Sequence, residues 1–154
     1  PTWALFGRKD AQQLAIVRAM VRDLSVPLSI EPVDIRRESD GLAMSSRNAY
    51  LTPTQRQQAL ALSQALKAGI AAAENGGDGA AVRQAALAYL ANADGVEVDY
   101  VAVVGADSFV DLAGADLGLD PQKYQPVAGE EALLALAAKV GSTRLIDNTL
   151  ITLR

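Results

Sequence analysis

The chain has 154 residues, half of them hydrophobic, which is enough for one sizeable domain or two small ones. Its 14 basic and 18 acidic residues give a net charge of −4, which argues against a general nucleic-acid or anionic-membrane surface while leaving room for one local basic site. There is no cysteine and no histidine, so any catalysis must use Lys, Arg, Asp, Glu, hydroxyls or a bound ion. No apolar run reaches the length of a membrane span and no signal peptide is visible. The absence of cysteine fits a reducing cytoplasm, which is the expected location.

Residues 3–6, WALF, form a short apolar run before Gly7 and predict a buried strand ending in a loop. A run of that kind at the very start reads like a strand interior, so the chain is expected to be a piece of a larger protein. Asp10 then opens a helix as N-cap, with Gln13 three residues on and Leu14, Val17, Val21 and Leu24 at helical spacing. Pro27 stops it. Residues 28–35 read as extended, with Leu28, Ile30 and Val33 facing inward. Residues 1–35 are therefore predicted to be a strand–helix–strand unit of a parallel sheet. Cut from a sheet, that unit would leave an edge and a helix face uncovered, so pairing with a second copy or partial disorder is expected.

Thr52-Pro53-Thr54-Gln55 is a strong helix start, with Thr52 as cap, Pro53 at the first helical position and Gln55 closing a capping box. This helix carries Leu62, Leu66 and Ile70 and ends at Asn75-Gly76-Gly77. Asp78 caps another, with Val82, Ala86 and Leu90 on one face and Gly95 beyond it. A helix following a helix marks a change of architecture, so a domain boundary is expected near residues 36–50, with 36–154 as a second domain. Further on, Val96, Val98, Tyr100, Ala102 and Val104 alternate with Glu97 and Asp99 as in a half-buried strand. Residues 105–128 read as mostly loop. Residues 133–140 and 143–152 flank Gly141-Ser142, which suits a type II′ hairpin. The segment ALLALAAK also has high helix propensity, but the hairpin context favours strand. The expected fold is α+β: the end of a Rossmann-like βαβ unit, then a small domain of two helices and a three-stranded antiparallel sheet.

Two short segments carry candidate chemistry. In FGRKD (6–10), Gly7 allows close backbone approach, Lys9 is a mobile charge suited to phosphate, and Asp10 can cap a helix or bond a ribose hydroxyl. All lie where a parallel strand gives way to a helix, the usual ligand position in open α/β sheets. Taken alone, the segment reads first as a plain capped turn, since it is not a P-loop. In SDGLAMSSRN (39–48), Gly41 can take a positive φ, and Ser45, Ser46 and Arg47 offer hydroxyls, a guanidinium and backbone N–H groups within three residues. The plain alternative is a polar turn before a helix. Both segments flank one βαβ unit and could converge on a polyphosphate. Arg36 and Arg37 read as solvated charges, and Asp147-Asn148 as a structural pin at a strand end.

Taken in order, FGRKDAQQLAIVR, DGLAMSSRNAYLTPTQR, VEVDYVAVV and GSTRLIDNTL resemble the pantothenate synthetase (pantoate–β-alanine ligase) family over nearly the whole chain. The resemblance implies an ATP- and Mg²⁺-using ligase that joins pantoate to β-alanine through a pantoyl-adenylate, releasing AMP and diphosphate. It implies a nucleotide-binding domain and a C-terminal lid, with SSRN as the KMSKS-type loop of the wider nucleotidyltransferase superfamily. Carried over by position, Lys9, Ser45, Ser46 and Arg47 would hold ATP phosphates and be the catalytic groups. Gly7 and Asp10 would contact the ribose, Met44 would lie near adenine through its backbone, and Gln13 would hold pantoate. No protein metal ligand is implied, and the intact protein is expected to be a homodimer with no nucleic-acid or membrane partner.

Two departures accompany the resemblance. The family's His-x-Gly-His segment has no counterpart here, and Arg36 stands where an apolar residue is expected. The chain is thus read as the C-terminal portion, inactive alone, with the SSRN side chains in solvent on a loosely held loop. Two other readings stand beside it: a phosphate- or nucleotide-binding or interaction module without catalysis, and a different adenylate-forming nucleotidyltransferase.

Overall fold

The structure, a computed structural model, describes residues 2–114 and 131–153. Strand β1 (Trp3–Gly7), helix α1 (Ala11–Asp23) and strand β2 (Ser29–Val33) form the predicted unit, with β1 and β2 paired in parallel from Trp3 opposite Ser29 to Gly7 opposite Val33. The Asp10 side chain accepts from the Gln13 N–H at 3.2 Å and so caps α1. The strand, however, is not buried. Trp3, Leu5 and Val33 are all exposed, and of the predicted apolar face of α1 only Leu14 is buried. Among the described residues the pair of strands has no third strand beside it, so each strand is open on one edge and α1 covers only the Ala4/Phe6 side.

Helix α2 (Pro53–Glu74) begins with the predicted capping box: Thr52 Oγ1 accepts from Gln55 N, and Gln55 Oε1 accepts from Thr52 N. Helix α3 (Gly79–Ala91) is capped by Asp78, which accepts from Ala81 N at 2.9 Å. The two helices lie on one face of the antiparallel sheet β3 (Val96–Gly105), β4 (Ala132–Val140) and β5 (Thr143–Ile151), ordered β3-β4-β5. Leu62, Leu90, Leu134 and Leu136 are fully buried in the core between these layers. Truncation of any one to Ala is expected to cost about 2–5 kcal/mol. Gly141 has φ +58° and Ser142 does not join it in the left-handed region, as a type II′ turn requires. ALLALAAK is indeed strand: pairing on both sides overrides its helix propensity.

The alternation expected in β3 fails at its centre. Val98 pairs with Ala138 but Tyr100 pairs with Ala137, so Asp99 is an extra residue and the strand bulges there. Beyond the bulge Val101 and Val103 join the helix-side core. Ala102 and Val104 turn to the opposite face, where they pack with Leu133 against Ala11 and Phe109. Residues 106–114 continue as turns, with one isolated bridge from Asp111 to Val104. The rest of the predicted loop, 115–128, lies outside the described residues.

Candidate active site

A cleft of about 570 Å³ opens between the bulge-shifted face of the sheet and the turn that joins β1 to α1. Its floor is Tyr100, Ala102, Val104, Leu133, Ala135 and Ile146. Lys9, Asp10, Gln12 and Arg47 stand around it from the turn and loop side, with Arg144, Asp147 and Asn148 from β5. Two segments far apart in sequence therefore contribute a cation each, beside the N-terminus of α1. That helix end favours negative charge.

Lys9 is half-buried, and its Nζ donates to the Met44 carbonyl at 3.0 Å, so the FGRKD turn touches the SDGLAMSSRN loop directly. Burial lowers the Lys9 pKa from its ordinary value. Asp147 works against that fall and Arg47 adds to it, so the two cations are close enough to repel. An anion entering between them would relieve both burdens at once. On the sheet side, Arg144 Nε bonds Asp99 at 2.7 Å and its guanidinium lies 6.0 Å from the centre of the Tyr100 ring. Burial pushes the Tyr100 phenol upward, which keeps it neutral as part of the floor.

The predicted site residues divide by position. The structure brings Lys9, Asp10 and Arg47 to the cleft. Ser45 caps the short 3₁₀ turn Ser46–Tyr50 by accepting from Arg47 N at 3.2 Å, while Ser46 is exposed. Met44 is exposed and reaches Lys9 by its carbonyl alone. Gly7 ends β1, and a Cβ there would meet nothing within 4 Å, so the chain's own packing does not demand glycine. Gln13 is exposed on the first turn of α1, and it is Gln12 that lines the cleft.

The loop is not loosely held. Arg56 donates to Asp40 at 2.7 and 3.0 Å and to Glu38 at 2.6 Å. Glu38 also receives the Asn48 amide, and Leu42 and Ala43 are buried. Gly41 takes φ +94°, and its carbonyl accepts from Arg37. Ser46 and Arg47 are exposed, as the sequence suggested, but they stand on an anchored frame.

Sequence reasoning misread four residues of this region and did not single out Gln12 or Arg144. Arg37 is no solvated charge: it forms a two-pronged pair with the buried Asp147, at 2.7 and 3.0 Å. Asp147 and Asn148 lie inside β5 rather than at its end. Tyr100 reaches the cleft only because of the bulge. The one available signal was the placement of a charge and an amide within an otherwise half-apolar strand, TRLIDNTLI, which an antiparallel sheet accepts only with partners.

The family model for pantoate-beta-alanine ligase matches residues 1–150. The chain belongs to this family. It is 51% identical to pantothenate synthetase 4 of Frankia alni over 99% of its own length and 45% of that protein's, and 48% identical to the pantothenate synthetase of Thermobifida fusca, covering 99% and 48%. The crystal structure of pantothenate synthetase from Thermus thermophilus superposes with a TM-score of 0.82 at 38% identity, over 99% of this chain and 50% of that one. A Francisella tularensis pantoate-beta-alanine ligase, solved with β-γ ATP and β-alanine, shares the fold at 22% identity and a TM-score of 0.59. The chain thus spans about half the length of the pantothenate synthetases it matches.

Proposed function

We propose that this chain is the C-terminal portion of an ATP-dependent ligase that condenses pantoate with β-alanine to pantothenate, and that it holds half of the active site. The observation that carries the reading is the meeting of Lys9 and Arg47 at one cleft beside a helix N-terminus, in a member of the pantoate-beta-alanine ligase family. The pantoate carboxylate attacks the α-phosphorus of ATP, the bond to diphosphate breaks, and the amine of β-alanine then displaces AMP from the acyl-adenylate. The chain's part is to neutralise charge on the departing diphosphate with Lys9, Arg47 and the N–H groups of the Ser45–Ser46 turn. No covalent enzyme intermediate is needed, and fixing the reactants supplies much of the remainder.

Gly7 and Asp10 would meet the ribose, the Met44 backbone the adenine, and Gln13 the pantoate. Mg²⁺ would arrive on the phosphates of ATP as their counter-ion. The intact enzyme would be a cytoplasmic homodimer; among the described residues no helix is long and apolar enough to cross a membrane.

Calorimetric titration of the chain with Mg-ATP tests the phosphate roles. The Lys9→Ala, Arg47→Ala double variant is expected to lose at least about tenfold in affinity, since each charge-assisted contact contributes roughly 1.5–3 kcal/mol. Unchanged affinity would remove these residues from the site. Release of AMP in the presence of pantoate, β-alanine and Mg-ATP tests the other half of the reading: the chain alone is expected to give none above background. Turnover typical of an enzyme would overturn it, and ATP binding without partner dependence in any longer form would favour a binding module instead.

A further inference from the structure

Asn148 and Asp147 hold the opposite wall of the cleft in place. Asn148 is 5% exposed, and its side-chain nitrogen donates to the carbonyls of both Arg8 and Lys9, each at 2.9 Å. A carboxamide nitrogen has two hydrogens, and both are committed to successive carbonyls of one turn. Because each peptide is planar and trans, the N–H groups of Lys9 and Asp10 are thereby turned to the other side of the chain. Asp147, 3% exposed, accepts from Asn148 N at 2.8 Å while it grips Arg37. Arg37 follows β2 as Arg8 and Lys9 follow β1, so the two neighbours on β5 hold the chain just past the C-terminal ends of both parallel strands.

We propose that Asn148, seated by the Arg37–Asp147 pair, is a positioning residue that sets the Arg8–Lys9 backbone and with it the stance of the Lys9 ammonium against the Arg47 loop. Packing alone does not account for it. Asn148 sits opposite Ala135 in the interior of β5, where an apolar residue would favour the strand and bury no amide. The bearing of this device on phosphate binding rests on the ligase reading above. The positioning itself does not, and neither measurement below involves a nucleotide.

The test compares the isotopically labelled chain with Asn148→Ala, Asn148→Asp and Asn148→Gln. Aspartate keeps the volume of asparagine but presents acceptors to two carbonyl oxygens, whereas glutamine keeps both donors on a longer stem. Asn148→Ala and Asn148→Asp are both expected to speed amide exchange about tenfold, relative to β3 and β4, at Arg8, Gln13 and Leu14, whose N–H groups donate to Val33 and Asp10 on either side of this turn, and glutamine to recover part of that protection. In Asn148→Ala the Lys9 side chain, whose charged neighbours are Asp147 and Arg47, is expected to titrate at higher pH as it leaves its half-buried seat. An aspartate variant as well protected as the parent, faster exchange spread evenly over the sheet, or an unmoved Lys9 titration would each overturn the proposal. If the alanine variant does not fold, the comparison of Gln with Asp decides: equal protection overturns it.

Discussion

Arg56 shows how single side chains set the state of the loop that carries Ser45, Ser46 and Arg47. It is bonded to Glu38 and Asp40 together, and Glu38 in turn holds the Asn48 amide at 2.6 Å. The Glu38 carboxyl is pulled below its ordinary value of 4.5, chiefly by Asn48 and then by Arg56. That of Asp40 is pulled below 3.8, chiefly by the Leu42 N–H. Carboxyls depressed in the folded chain contribute stability that is present above their ordinary values and is lost as pH falls through the lower folded ones. The loop is therefore expected to loosen in acid, below about pH 4, with no change between pH 5 and 8. The Leu42 amide, which donates to Asp40 at 3.1 Å, is a direct NMR reporter; an Asp40 titration at or above its ordinary value would contradict this. Arg56→Ala is expected to speed exchange across residues 38–48 already at neutral pH and leave α3 unaffected. None of this was legible in the sequence. Asp40, Arg47 and Asn48 could be named as polar, but the partner of Asp40 lies 16 residues away and depends on how α2 is seated.

Helix starts were the most legible elements, because caps are local chemistry. Thr52, Pro53 and Gln55 declare α2, and Asp78 declares α3, without reference to anything distant. Thr52→Ala is expected to cost about 1 kcal/mol in thermal or denaturant unfolding, the usual worth of such a cap. Gly79 is a stricter case that the sequence did not announce. A Cβ there would collide with the backbone carbonyl of Leu112, which cannot rotate away as a side chain would. Gly79→Ala is expected to destabilise by roughly 1–3 kcal/mol despite better helix propensity, and to shift the 110–113 segment; an alanine variant as stable as the parent would show that segment to be free to move. The bulge in β3 was illegible for a different reason. Residues 101–104 are all apolar, so a pattern of alternation cannot reveal that the faces exchange at Asp99.

At the scale of the whole molecule, apolarity in the sequence did not settle burial. WALF and the apolar positions of α1 were correctly placed in a strand and a helix, yet Trp3, Leu5, Ile16, Met20 and Leu24 remain exposed, because burial needs a neighbour as well as a hydrophobic side chain. Apolar residues left uncovered on both sides of this unit, beside open strand edges, favour self-association. The isolated chain is expected to associate with rising concentration, and Leu5→Lys to reduce this; sedimentation that is monomeric for the parent at all concentrations would refute it. The cleft, by contrast, owes its floor to one backbone unit. Had β3 run on through Asp99 without the bulge, the alternation set by Val96 and Val98 would carry Tyr100, Ala102 and Val104 toward the helices and Val101 and Val103 into the cleft. Asp99 is the residue the ladder leaves out, so deleting it is expected to keep every other residue of β3 on its present face. The surface that a ligand meets thus depends on a bulge that absorbs one surplus residue as much as on the identity of any residue lining it.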